Sequence, residues 1–107
     1  MKIVATTSCP TGIAHTYMAA ENLEKAAKKL GVEIKVETQG SIGTENALTK
    51  KDIKNADAVI VAADARVEMA RFDGKPLKEV SVSKAIKNAE TYIQEAIDGS
   101  FENYKAK

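Results

Sequence analysis

Two stretches of the chain are apolar without a polar break, and they set the frame for the rest. Lys2 to Thr6 is a short β-branched run and Ala58 to Ala63 reads AVIVAA. Such runs suit strands buried on both faces. A third stretch behaves differently. From Val32 to Thr38 the residues alternate, with Val32, Ile34, Val36 and Thr38 on one side and Glu33, Lys35 and Glu37 on the other. That pattern predicts a strand with one wet face, at or near a sheet edge.

Between these stretches the period changes from two to three and four. Ile13, Tyr17, Ala20, Leu23, Ala27 and Leu30 form one helical stripe, and Gly31 stands where a C-cap is expected. Val82, Ile86, Ala89, Ile93 and Ile97 form another, ended by Gly99. Thr49, three residues before Asp52, makes a capping box that opens a short helix ending near Asn55. Gln39 to Asn46 reads as a loop, a short strand is expected near Met69 to Phe72, and the polar stretch from Ser100 to Lys107 is expected to fray.

The order strand, helix, strand, helix, strand, strand, helix implies an α/β fold. Right-handed crossovers favour a small parallel four-stranded sheet with helices on both faces, a Rossmann-like three-layer sandwich with strand order 2-1-3-4. Residues 1–100 are expected to form one domain and 101–107 a polar tail. The switch point of such a sheet lies between strands 1 and 3, and ligands bind outside the carboxyl ends of strands there. The loop leaving strand 1 carries Cys9.

Composition narrows the class. With 44% hydrophobic and 29% charged residues, the chain reads as a soluble globule. A formal charge of +1 gives no reason to expect nucleic acid or an anionic membrane surface as partner. One cysteine cannot close an internal disulfide. The apolar run that breaks at Thr6 is too short for a signal peptide or a membrane span. The chain is expected in the cytoplasm, without direct membrane insertion and, as an isolated domain, monomeric.

Cys9 is where the chemistry gathers. It lies between a buried strand and a helix N-terminus, where unpartnered N–H groups and the helix dipole favour an anion. A thiol so placed has a lowered pKa and is a better nucleophile. Pro10 stiffens the turn and Gly12 permits close backbone approach. The N–H groups from Thr11 to His15 suit the three oxygens of a phosphoryl group, and Thr7, Ser8, Thr11 and Thr16 add hydroxyls. A free cysteine is ordinarily a small buried hydrophobe. Here Thr7, Ser8, Pro10 and Thr11 surround it and no apolar periodicity claims it. His15 has two readings, as a helix-turn residue bonded to the loop or as a group acting on the phosphate. One Cys and one His are too few for a closed zinc site, and no cofactor is called for.

Two rival readings share the site. Cysteine phosphatases carry C-x5-R, but here His15 stands six after Cys9 and lacks the bidentate grip of Arg. Asp64, after the second apolar run, is a candidate for the acid that nothing in the sequence identifies as such; orienting the loop and simple solvation are equal readings. The other rival is a non-catalytic module that senses phosphate.

The string CPTGIAHTYMAA over residues 9–20 resembles the signature of the B component (IIB) of the fructose-family sugar phosphotransferase system, which is phosphoenolpyruvate-dependent. ETQG at 37–40, NALT at 46–49, DI at 52–53, ADAVIVAAD at 56–64 and RFDGK at 71–75 follow in that family's order. The resemblance implies a phosphoryl carrier. Cys9 would take phosphate from a phosphohistidine of the A component (IIA) and pass it to a sugar, fructose or a related hexose, on the membrane C component (IIC). It carries over Pro10, Thr11, Gly12, Ile13, Ala14, His15 and Thr16 as the phosphate cradle. Glu37, Thr38, Gln39, Gly40 and Asp64 are placed at the lip of the cleft, with no chemical step. It also implies that the chain associates with the membrane only through IIC.

Overall fold

The computed structural model describes residues 1–8, 14–40, 43–64 and 67–105. The apolar run at the start forms β1, Lys2–Ser8, and AVIVAA forms β4, Ala58–Ala63. Both lie inside the sheet, so neither needs a polar face. Between them come α1, Ala14–Leu30; β2, Glu33–Gly40; β3, Gly43–Glu45; and α2, Lys50–Asn55. After β4 follow a 3₁₀ turn at Ala70–Phe72, β5 at Pro76–Val80, α3 at Val82–Ile97 and β6 at Glu102–Asn103.

The sheet order is β3-β2-β1-β4-β5-β6. Its four central strands are parallel and stand in the order expected for the four-stranded core. The sheet has six strands rather than four, because a short antiparallel strand is added at each edge. Two of the differences come from turns. The stretch read as a loop, Gln39 to Asn46, is mostly hairpin, with β2 running on to Gly40 and Thr38 pairing with Glu45. The tail expected to fray is held at its start: Phe101 is buried and Leu77 pairs with Glu102.

The strand expected near Met69 to Phe72 is instead the 3₁₀ turn, and the fourth parallel strand begins at Pro76. Phe72 is fully buried and anchors the turn, and Gly74 at φ +81° reverses the chain in a conformation that side chains disfavour. β5 escaped the pattern because its middle, Lys78 and Glu79, faces solvent.

The helices form two layers. Ile3, Ala5, Val36 and Ile60 on one sheet face pack with Leu23 of α1 and Ile93 of α3. Val4, Val59 and Val61 on the other pack with Ile53 of α2, Leu48 and Phe72. Thr49 accepts from the Asp52 N–H at 3.0 Å and Asp52 accepts from the Thr49 N–H at 2.9 Å, closing the capping box read from the sequence. α1 thus crosses on one face and α2 on the other, which creates the switch point beside β1.

Candidate functional site

Cys9, Pro10, Thr11, Gly12 and Ile13 lie outside the described residues, but both ends of their segment are placed. Ser8 ends β1, with Gln39 of β2 as its neighbour on one side and Ala63 of β4 on the other. Ala14 begins α1. The segment therefore runs from the carboxyl end of a central strand to the N-terminus of a 17-residue helix.

The residues expected at the lip converge on the same end. Thr38 and Gln39 flank Thr7 and Ser8, and Gly40 closes the hairpin opposite Gly43. Asp64 comes directly after β4 and its N–H donates to the Ser8 carbonyl at 2.9 Å. Its carboxylate Oδ1 accepts from the Val82 N–H at 3.3 Å, at the start of α3. Asp64 thus ties the root of the cysteine loop to a second helix N-terminus, with a carboxylate where the dipole favours one.

Three buried hydroxyls, of Thr7, Thr16 and Thr38, stand at this end on the α1 face. Thr7 Oγ1 donates to the Thr16 carbonyl at 3.3 Å, pinning the first turn of α1 to β1. Thr16 Oγ1 and Thr38 Oγ1 are buried and have no hydrogen-bond partner among the described residues. A buried hydroxyl left so costs about 1–3 kcal/mol. Side chains on a helix lean towards its N-terminus, so Thr16 leans towards the cysteine segment. Ala14 and His15 are exposed in the same turn. Tyr17 reaches from α1 to Glu45 of β3 at 3.1 Å.

The opposite face of this end is charged. Glu37 was assigned to a wet strand face, yet it is 2% exposed. Arg71 from the 3₁₀ turn grips it bidentately, with Nη1 on Oε1 at 2.9 Å and Nη2 on Oε2. Thr6 Oγ1 at 2.8 Å, Gln39 Nε2 at 3.0 Å and the Leu48 N–H at 3.0 Å complete the shell. Burial alone raises the carboxyl pKa. The hydrogen bonds from Arg71, Gln39, Leu48 and Thr6 outweigh that and lower it to about 2. The same pairing raises Arg71. The guanidinium also lies over the Phe72 ring, 4.7 Å from its centroid. Lys35, also given to the wet face, is half-buried and meets Asp52 at 2.6 Å.

Comparison with known proteins points one way. The family model described as "PTS system, Lactose/Cellobiose specific IIB subunit" matches residues 4–95. The chain belongs to the IIB family of the sugar phosphotransferase system (PTS). It is 54% identical over 93 residues to the PTS system fructose-like EIIB component 2 of Escherichia coli K12, covering 86% of this chain and 88% of that one. It is 56% identical over 96 residues to the fructose-specific EIIB'BC component of Xanthomonas campestris pv. campestris, covering 90% of this chain. There the chain spans only 17% of the relative's length, as against 15% of the fructose-specific EIIABC component of Bacillus subtilis. Among solved structures, a domain of fruA from Bacillus subtilis superposes with a TM-score of 0.91 at 49% identity, covering 97% of this chain and all of that one.

Within this IIB domain the resemblance and the geometry select the same end of the sheet. Sequence reasoning missed the pairing of Glu37 with Arg71. Both residues lie in segments already singled out, ETQG and RFDGK, and their opposite charges were the available signal. Thirty-four positions separate them, so no local period links them. Among the described residues, no group of metal-type ligands gathers and no helix is long and apolar enough to cross a membrane.

Proposed function

We propose that this IIB chain carries a phosphoryl group on the sulfur of Cys9. The Cys9 thiolate attacks the phosphorus of a phosphohistidine on a IIA component. The N–P bond breaks, an S–P bond forms, and the histidine nitrogen leaves. In the second step a hydroxyl oxygen of a sugar held by a membrane IIC component attacks phosphorus. The S–P bond breaks, the thiolate is regenerated and the hydroxyl proton goes to a base or to water. Fructose or a related hexose is the proposed acceptor.

The observation that carries this reading is the place of the cysteine segment, between the end of β1 and the first turn of α1. Phosphoryl transfer needs positioning and charge stabilisation more than covalent assistance from the protein. Unpartnered N–H groups at a helix start, the helix dipole and the buried Thr16 hydroxyl meet that need. Residues Pro10 to Thr16 are assigned as the cradle on the family resemblance. Relatives named EIIB'BC and EIIABC support IIA and IIC as partners, since their names join these components in one chain. The phosphatase reading is weaker. His15 stands where its Arg is required, and the Asp64 carboxylate is engaged by α3.

Incubation with a phosphorylated IIA component, followed by intact-mass spectrometry, tests the proposal. One added phosphoryl group is expected on the wild-type chain and none on Cys9→Ser. Phosphorylation that survives Cys9→Ser would refute it.

A further inference from the structure

We propose that the buried Glu37–Arg71 pair is the positioning element of the phosphoryl-transfer site, holding the wall of the cleft that faces away from α1. The inference rests on the phosphocarrier reading of Cys9. Its ground is convergence. The single carboxylate of Glu37 receives Thr6 from β1, Gln39 from the end of β2, Leu48 from the segment before α2, and Arg71 from the turn after β4. These are four separate stretches of chain; one of them, β1, ends at Ser8, and another, β2, sets Gln39 beside Ser8.

The reach is short. Glu37 is the register partner of Thr6, and Gln39 is the partner of Ser8. At about 3.3 Å per residue, Thr6 lies about 7 Å from Ser8, the last residue of β1, along the strand direction. Gln39 Nε2 also approaches Thr6 Oγ1 at 3.4 Å, so its amide is set by the pair and by β1 together. Arg71 belongs to the segment that begins at Asp64, whose N–H holds the Ser8 carbonyl. Losing Arg71 removes two of the five hydrogen bonds that set the Glu37 carboxylate, on which Thr6 and Gln39 also rest.

Stability alone is a poor reason for the pair. A buried ion pair is often no more stabilising than apolar side chains filling the same space. The other end of the same sheet is filled with aliphatic side chains. What an ion pair adds is direction, because a carboxylate with five donors and a forked guanidinium has one low-energy arrangement. Phosphoryl transfer depends steeply on such placement, and a shift of about 1 Å can cost about a hundredfold in rate.

The test uses Glu37→Gln and Arg71→Lys in the full chain, at a temperature where circular dichroism shows both folded. Arg71→Lys keeps the charge but loses the fork, and it carries the test if Glu37→Gln does not fold. Single-turnover transfer from phosphorylated IIA is followed against donor concentration, and Cys9 alkylation by iodoacetamide against pH. The expected result is a fall of about 10- to 100-fold in the saturated rate constant with donor affinity changed less than about threefold. The alkylation profile should shift as well. Wild-type rates and an unshifted profile in folded Arg71→Lys, with only its melting temperature lowered, would overturn the proposal and leave the pair a structural tie. A wild-type chain that takes no phosphate would overturn the carrier reading first, and this inference with it.

Discussion

At the amino end of the sheet the buried side chains are hydrocarbon: Ile3, Val4 and Ala5 on β1, and Ala58, Val59 and Ile60 on β4. A few residues further along, β1 buries Thr6, Thr7 and Ser8, while β2 passes from Val36 to Glu37 and Thr38. Every buried polar or charged residue among the described ones belongs to this second region, Thr16 of α1 included. Burying polar groups costs free energy unless each is matched, so an end built for stability alone would continue the aliphatic pattern. The contrast separates two tasks along a single strand: the amino end holds the fold, and the carboxyl end holds groups in place. β4 stays apolar through Ala62, so the polar change is confined to β1, β2 and the segments that face them.

The largest effect expected from breaking this contrast is at the amino end. Ile60→Ala, at a fully buried position, should lower stability by about 4 kcal/mol in urea unfolding while the folded fraction transfers phosphate normally. Glu37→Ala should cost about 3 kcal/mol, since it leaves the Arg71 charge and the Leu48 N–H without their acceptor, and it should also slow transfer. Next is the acid limb. Glu37 titrates near 2 when folded against an ordinary 4.5, so its contribution is present above about pH 4.5 and is lost as pH falls towards about 2. Acid unfolding followed by circular dichroism should show that loss in wild type and a flatter limb in Glu37→Gln.

Thr49→Ala, at the cap of α2 and outside the polar end, should lower stability by about 1 kcal/mol with no effect on transfer. The smallest change in stability, and the sharpest divide, is expected from Thr38→Val. It replaces a buried hydroxyl that has no partner among the described residues, so stability should hold or rise by up to about 1 kcal/mol. If the polar end serves the chemistry, transfer slows in that variant. Thermal melts and single-turnover rates on the same samples separate the two effects.

Much of this arrangement was legible in the pattern of the chain. β1 and β4 follow from their unbroken apolar runs and α1 and α3 from their helical stripes, because each signal is local. The family resemblance placed Thr38, Gln39, Gly40 and Asp64 at one lip, and the structure sets Thr38 and Gln39 beside Thr7 and Ser8, with the Asp64 N–H on the Ser8 carbonyl. What escaped depends on distant partners. Glu37 looks like a solvated residue until Arg71 arrives from another segment to neutralise it. β5 is charged in its middle and Phe72 is aromatic, so local preference favoured a strand a few residues too early. The edge strands β3 and β6 are three and two residues long, too short to show a period. The motif around Cys9 pointed to the candidate site because it is a local string, whereas the Glu37–Arg71 pair joins distant segments.

The most direct measurement is phosphorus NMR of the chain after charging by phosphorylated IIA, with the donor removed. A single resonance in the phosphothiol range, equal to one phosphate per chain and lost on adding membranes that carry IIC and sugar, is the predicted result. Phosphate bound to nitrogen or oxygen, or an uncharged chain with an unreactive Cys9, would contradict the account.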